Sequence, residues 1–126
     1  MRAALVFGLL LTTLSPASAN NMGLGFGWGP TKQCFDPNSP PITVADVPQG
    51  TATLRFRLTD LDAADFNHGG GDVSFNGQET LPYGAFTYKG PCPPDPSQPH
   101  HYRLSLQALD ASGALLGSAR AERSFP

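Results

Sequence analysis

Residues 90–110 read GPCPPDPSQPHHYRLSLQALD, and the two halves of this stretch obey different rules. In the first half Pro91, Pro93 and Pro94 fix φ and delete backbone donors, which makes a stiff loop. In the second half Tyr102, Leu104, Leu106 and Ala108 fall on one parity, the mark of a strand with one buried face. His100 and His101 stand at the entrance to that strand, so their side chains point to opposite faces. Parity puts His100 on the apolar side with Tyr102. A histidine there is either a satisfied structural residue or the wall of a pocket.

The same alternation recurs upstream. Within Thr51–Asp60, Leu54, Phe56 and Leu58 alternate with Arg55, Arg57 and Thr59, a second half-buried strand. Ile42-Thr43-Val44, Phe86–Lys89 and Val73-Ser74-Phe75, closed by the turn pair Asn76-Gly77, read as shorter strands. Asp110-Ala111-Ser112-Gly113 is a turn leading into Ala114–Phe125, where Leu115, Ala119, Ala121 and Phe125 share a parity. Only Ala114–Glu122, rich in alanine and without β-branched residues, lets a helix compete. Short strands, many turns and little helix predict an all-β chain, a small antiparallel sandwich forming one domain over residues 38–126. Residues 20–37 form a Gly/Pro-rich arm. The alternating glycines of NNMGLGFGWGP are too flexible for a stable strand, which leaves an ordered arm or a loose tail.

The chain has 126 residues and begins MRAALVFGLLLTTLSPASA. One basic residue, an apolar run and small residues before position 20 make Met1–Ala19 a secretory signal peptide, with cleavage after Ala19 and a secreted or periplasmic product. The apolar run is too short to span a bilayer, and no later segment is predicted to do so. The formal charge is −2 with no basic stripe, which argues against nucleic-acid binding. Cys34 and Cys92 are the two cysteines; in an oxidising compartment they suggest one disulfide, the alternative being two buried thiols.

Polar groups gather in two loops. The first, DLDAADFNHGGGD over Asp60–Asp72, opens like a calcium loop but lacks the glycine and the closing glutamate. The three glycines after His68 leave backbone N–H groups free to form an anion-binding concavity; otherwise the loop is a wet acidic hairpin. The second loop is the proline run before His100. No G-x-S-x-G elbow, H-E-x-x-H or close His/Cys spacing occurs, so the residues predict no enzyme, no metal and no cofactor.

Taken together, these segments resemble the phosphatidylethanolamine-binding proteins, also called Raf kinase inhibitor-like proteins. GPCPPDPSQPHHYRLSLQALD is similar to that family's G-P-x-P-P…H-x-Y…A-L-D segment. Ser39-Pro40 through Val47-Pro48-Gln49-Gly50-Thr51 resembles its S-P…V-P-x-G-T run, and Asp60-Leu61-Asp62-Ala63 its D-x-D-A-P strand end, with Ala64 in place of the proline. The matched pieces keep the family's order over residues 38–110.

The resemblance implies a two-sheet β fold with a pocket for a small phosphate-type anion or lipid head group. It implies Asp60, His68, His100 and Tyr102 as ligand-binding residues, with Gly90 and Pro91 as a wall. The loop from Asp62 to His68 and the chain after Asp110 are short for the family, departures that imply a pocket either shallower or lost. In physical terms the histidines and glycine N–H groups would donate to the anion, and Asp60 would orient a ring or meet an ammonium group. The alternative is an interaction module, such as a protease inhibitor or signalling regulator, whose partner is a protein.

Overall fold

The computed structural model describes residues 21–126 and the isolated Gly8; the leader read in Met1–Ala19 otherwise lies outside the described residues. Seven strands follow in order: β1 (Gly23–Phe26), β2 (Ile42–Ala45), β3 (Thr53–Asp60), β4 (Gly70–Ser74), β5 (Thr80–Leu81), β6 (His100–Leu109) and β7 (Leu115–Phe125). They form a three-stranded sheet, β1-β2-β5, and a four-stranded sheet, β4-β3-β6-β7. Every pairing is antiparallel, and the described residues contain no helix. The chain is all-β.

The alternation read in β3 and β6 sets the core. Leu54, Phe56 and Leu58 of β3 and Tyr102, Leu104, Leu106 and Ala108 of β6 are buried, while Arg55, Arg57 and Gln107 between them face water. Opposite lie Phe26, Ile42, Val44 and Leu81 from the smaller sheet, with Phe86 and Tyr88 completing one cluster. Burying a side chain of this size stabilises the fold by about 1.5–3 kcal/mol. Phe86 stacks on Phe56 at 5.1 Å. That stack passes over Gly71, where an added Cβ would stand 2.7 Å from Phe86 Cβ.

Register then positions the polar residues. Phe56 pairs with Leu106 and Asp60 with Tyr102, so the C-terminal end of β3 lies beside the N-terminal end of β6. Asp60 and His100 consequently meet at one edge of the core.

Several elements differ from the sequence expectation. Gly23–Phe26 is a strand in spite of its glycines, paired with β2 from Gly23↔Ala45 to Phe26↔Ile42. The apolar residues between the glycines anchor it. Phe26 is buried, and Trp28 packs edge-on against Phe26, Tyr102 and Phe125 while its Nε1–H donates to Ser124 O at 2.7 Å. Tertiary burial outweighs the glycines' conformational entropy here.

β4 starts at Gly70, inside the segment read as loop, and β5 gave too short a pattern to see. Phe86–Lys89 is not a strand: a single bridge, Asn38↔Thr87, is its only ladder contact, though Phe86 and Tyr88 point into the core. Within Ala114–Glu122, the residues from Leu115 onward are strand rather than helix, because ten residues of β6 offer them a ladder and Arg103 pairs with Glu122 across it. A bulge at Ala108/Leu109 breaks the expected parity, so Leu115 is 57 % exposed while Ala119 and Ala121 pack on the core.

Candidate functional site

Among the described residues one depression, beside Thr43, Thr80 and Arg123, lies at the smaller sheet; two others lie beside the loops singled out in the sequence. The wider, about 740 Å³, crosses the outer face of the four-stranded sheet beside Arg55, Arg57, Asn67, Ser105 and Gln107. In it Asp72 already neutralises Arg55 through bonds of 2.9 and 3.0 Å. The smaller, about 200 Å³, opens where β3 ends and β6 begins. It gathers Asp60, His68 and His100, and we take it as the candidate site.

Asp60 is the last residue of β3 and only 4 % exposed. One carboxylate oxygen accepts the Asp62 N–H at 2.9 Å, an Asx turn that closes the strand. The other lies 2.6 Å from His100 Nδ1. His68 is 3 % exposed, and its Nδ1 meets the Lys89 carbonyl at 2.8 Å. Tyr102 forms the bed under both rings, at 5.6 Å from His68 and 6.4 Å from His100. Its side chain is fully buried, and its hydroxyl lies close to Asp60 without the geometry of a hydrogen bond. Burial, and then the Asp60 charge, push that hydroxyl's pKa well above the ordinary phenol value.

The adjacent residues form a second pair. His101 points away, and both its backbone N–H and its Nδ1 lie on Asp62 Oδ2, at 2.6 and 3.0 Å. Those bonds, the backbone one first, hold the Asp62 carboxyl below its usual range. Asp60, Asp62 and His100 bring one ligand atom each within 4.8 Å of one another, the set that could hold a metal ion. The Asp60–His100 hydrogen bond already joins two of its members.

The remaining wall is apolar: Phe35, Ala63, Phe66, Cys92 and Pro94. Cys34 and Cys92 are joined, with Cα atoms 4.5 Å apart, which ties the segment carrying Phe35 to the proline loop. Phe35 stacks on Phe66 at 5.5 Å, both partly exposed at the mouth, and Lys89 Nζ sits 5.7 Å from the Phe66 ring centre.

Of the residues expected from sequence, Asp60, His68 and His100 come together in the cleft, with Tyr102 directly beneath. Gly90 and Pro91 are buried behind the wall, and the surface they were expected to present comes from Cys92 and Pro94. Gly90 packs on the Asp36 backbone, where a Cβ would stand 2.7 Å from the Asp36 carbonyl oxygen. The glycines after His68 line the outer groove instead of the cleft: Gly69 N–H bonds Asn67 Oδ1, and Gly70 and Gly71 have entered β4. Sequence reasoning did not place Phe35, Ala63, Phe66 or the Asp62–His101 pair at the site; Asp62 and Ala63 in the strand-end motif and His101 beside His100 carried a signal, and Phe35 and Phe66 carried none.

Comparison with known proteins rests on structure. No protein-family model matches the chain, and no curated protein does. A solved structure from Chlamydia trachomatis, described as a phosphatidylethanolamine-binding protein homologue, superposes with a TM-score of 0.61 at 18 % identity. The alignment covers 83 % of this chain and 97 % of that one. The two share a fold. At that identity the likeness concerns architecture, and it agrees with the two-sheet fold that the sequence segments imply.

Proposed function

We propose that this chain is a non-catalytic binding protein for a small phosphate-type or lipid head group, with phosphoethanolamine as the probe ligand. The observation that carries the reading is the Asp60–His100 pair, 2.6 Å apart and set beside His68 in one cleft. A carboxylate bonded to one ring nitrogen fixes the imidazole's orientation and leaves the other nitrogen for a ligand. The opening holds a head group and little more, and the exposed Phe35–Phe66 stack offers a surface for an apolar continuation. A buried carboxylate repels a bare phosphate, which favours a ligand that also carries positive charge.

The Cys34–Cys92 bond supports an oxidising compartment, in keeping with the leader sequence. No helix among the described residues is long and apolar enough to cross a membrane. Calorimetric titration with phosphoethanolamine tests the reading. Wild type and His101→Ala should bind, and His100→Ala should not. Absence of binding by wild type at millimolar ligand, or undiminished binding by His100→Ala, contradicts it.

A further inference from the structure

We infer that the outer face of the four-stranded sheet is a docking site for an extended acidic peptide segment of a partner protein, held by Arg57 and Arg120. The site is separate from the cleft, so it stands whether or not the cleft takes a head group.

Charge on this face is unevenly matched. The outward positions of β3, β4, β6 and β7 carry four arginines, Arg55, Arg57, Arg103 and Arg120, against two carboxylates, Asp72 and Glu122. Asp72 holds Arg55 and Glu122 holds Arg103, at 2.9 and 2.7 Å. Arg57 and Arg120 are exposed and have no ion-pair partner among the described residues. The whole chain carries a formal charge of −2, so this surplus of positive charge is local.

Cross-strand register sets the two free arginines in one row. Gly70 pairs with Arg57, Arg57 with Ser105, and Ser105 with Arg120. At about 4.8 Å between strands, Arg57 and Arg120 stand roughly 10 Å apart with Ser105 between them. Gly70 can carry no side chain, because a Cβ would lie 1.8 Å from the Phe56 carbonyl oxygen. Beside Arg57 the row therefore opens onto bare backbone, in the groove of about 740 Å³. Ser105, Gln107 and Asn67 supply neutral hydrogen-bonding groups along that groove. Asn67 Oδ1 already accepts the Gly69 N–H, which leaves its amide nitrogen to donate.

These features select the occupant. Two guanidinium forks match two carboxylates. In an extended chain, residues i and i+2 lie about 6.6–7 Å apart on one side, a spacing that two flexible arginines flanking Ser105 can meet. The neutral amides and the hydroxyl suit the peptide groups between them. A continuous polyanion is disfavoured, since it would also pass over Asp72 and Glu122. The groove presents no aromatic ring, because Phe56 turns its side chain into the core, and nothing there stacks a nucleobase.

The probe is acetyl-Thr-Glu-Thr-Glu-Thr-amide, titrated at low ionic strength into ¹⁵N-labelled protein. Binding should move the backbone amide signals of Arg57, Ser105 and Arg120 and leave those of His68 and His100 in place. The same peptide with glutamine for glutamate should bind about tenfold more weakly. Arg57→Gln/Arg120→Gln should also lose about tenfold, the effect of two exposed ion pairs, while its circular dichroism stays that of wild type. Raising salt from about 20 to 200 mM should weaken wild-type binding several-fold, and His100→Ala should bind the peptide as wild type does. No response at millimolar peptide, undiminished binding by the double variant, or equal binding of the glutamine peptide overturns the inference. Tighter binding of tripolyphosphate than of the peptide overturns it too, since the face is then a general polyanion surface.

Discussion

Replacing Tyr102 by phenylalanine removes a single oxygen from the centre of the site, and the sign of its effect is informative. The ring keeps its packing on Trp28, His68 and His100. The hydroxyl is fully enclosed and lies near the Asp60 carboxylate and the Cys92 N–H without the alignment of a hydrogen bond to either. An enclosed hydroxyl without a partner costs roughly 1–3 kcal/mol, whereas losing a partnered one costs about 1 kcal/mol. Attraction between the O–H dipole and nearby Asp60 repays part of that cost, so the low end applies. Tyr102→Phe should stabilise the protein by about 1 kcal/mol, a rise in Tm of about 4–8 °C for a domain of this size. Thermal unfolding followed by circular dichroism reads the shift. Phosphoethanolamine affinity should stay within about twofold, because the oxygen lies under the rings and outside the cleft lining. A fall in Tm of several degrees would refute the reasoning, since it would mean that the hydroxyl makes a stabilising bond in the native protein.

Other consequences follow from the same structure. Cys34→Ser/Cys92→Ser opens a bridge spanning 58 residues and should cost about 4 kcal/mol in chemical denaturation, with Phe35 released from the cleft mouth; an unchanged denaturation midpoint would contradict this. Gly90→Ala should lower stability by about 2–4 kcal/mol because its Cβ meets the Asp36 backbone, and the melting temperature checks it. Asp36 is buried, which pushes its pKa up, but Tyr83 Oη–H and the Lys32 and Asn38 N–H groups outweigh that and hold it below the usual range. Its stabilisation is therefore complete above the ordinary carboxylate pKa of about 4 and disappears as pH falls through the lowered native value. Asp36→Asn should lose about 1–3 kcal/mol at neutral pH and flatten the acid limb of the stability profile.

How much of this was legible in the sequence depended on how local each signal was. The strict alternation of β3 and β6 specified two strands, their buried faces and the sidedness of His100 against His101. Register between those strands was not legible. It is the register that pairs Asp60 with Tyr102 and turns separate loops into one cleft. The strand at Gly23–Phe26 was hidden because glycine argues against it locally, while its stability comes from Trp28 docking on residues about 75 and 97 positions away. The bulge that exposes Leu115 leaves no mark in the pattern at all. Gly90 and Pro91 were correctly read as rigid, but rigidity does not say which residue of a loop faces the ligand. Phe35 is held at the mouth by the Cys34–Cys92 bond and by its stack on Phe66, long-range contacts that spacing alone could not orient.

The histidine ring ¹⁵N spectrum, recorded with and without phosphoethanolamine, tests the central claim most directly. The account predicts that His68 and His100 hold the hydrogen on Nδ1 in the free protein, and that saturation moves the Nε2 resonances of these two rings while those of His101 stay in place. An Nε2–H tautomer at His68, or a ligand response confined to His101, would contradict it.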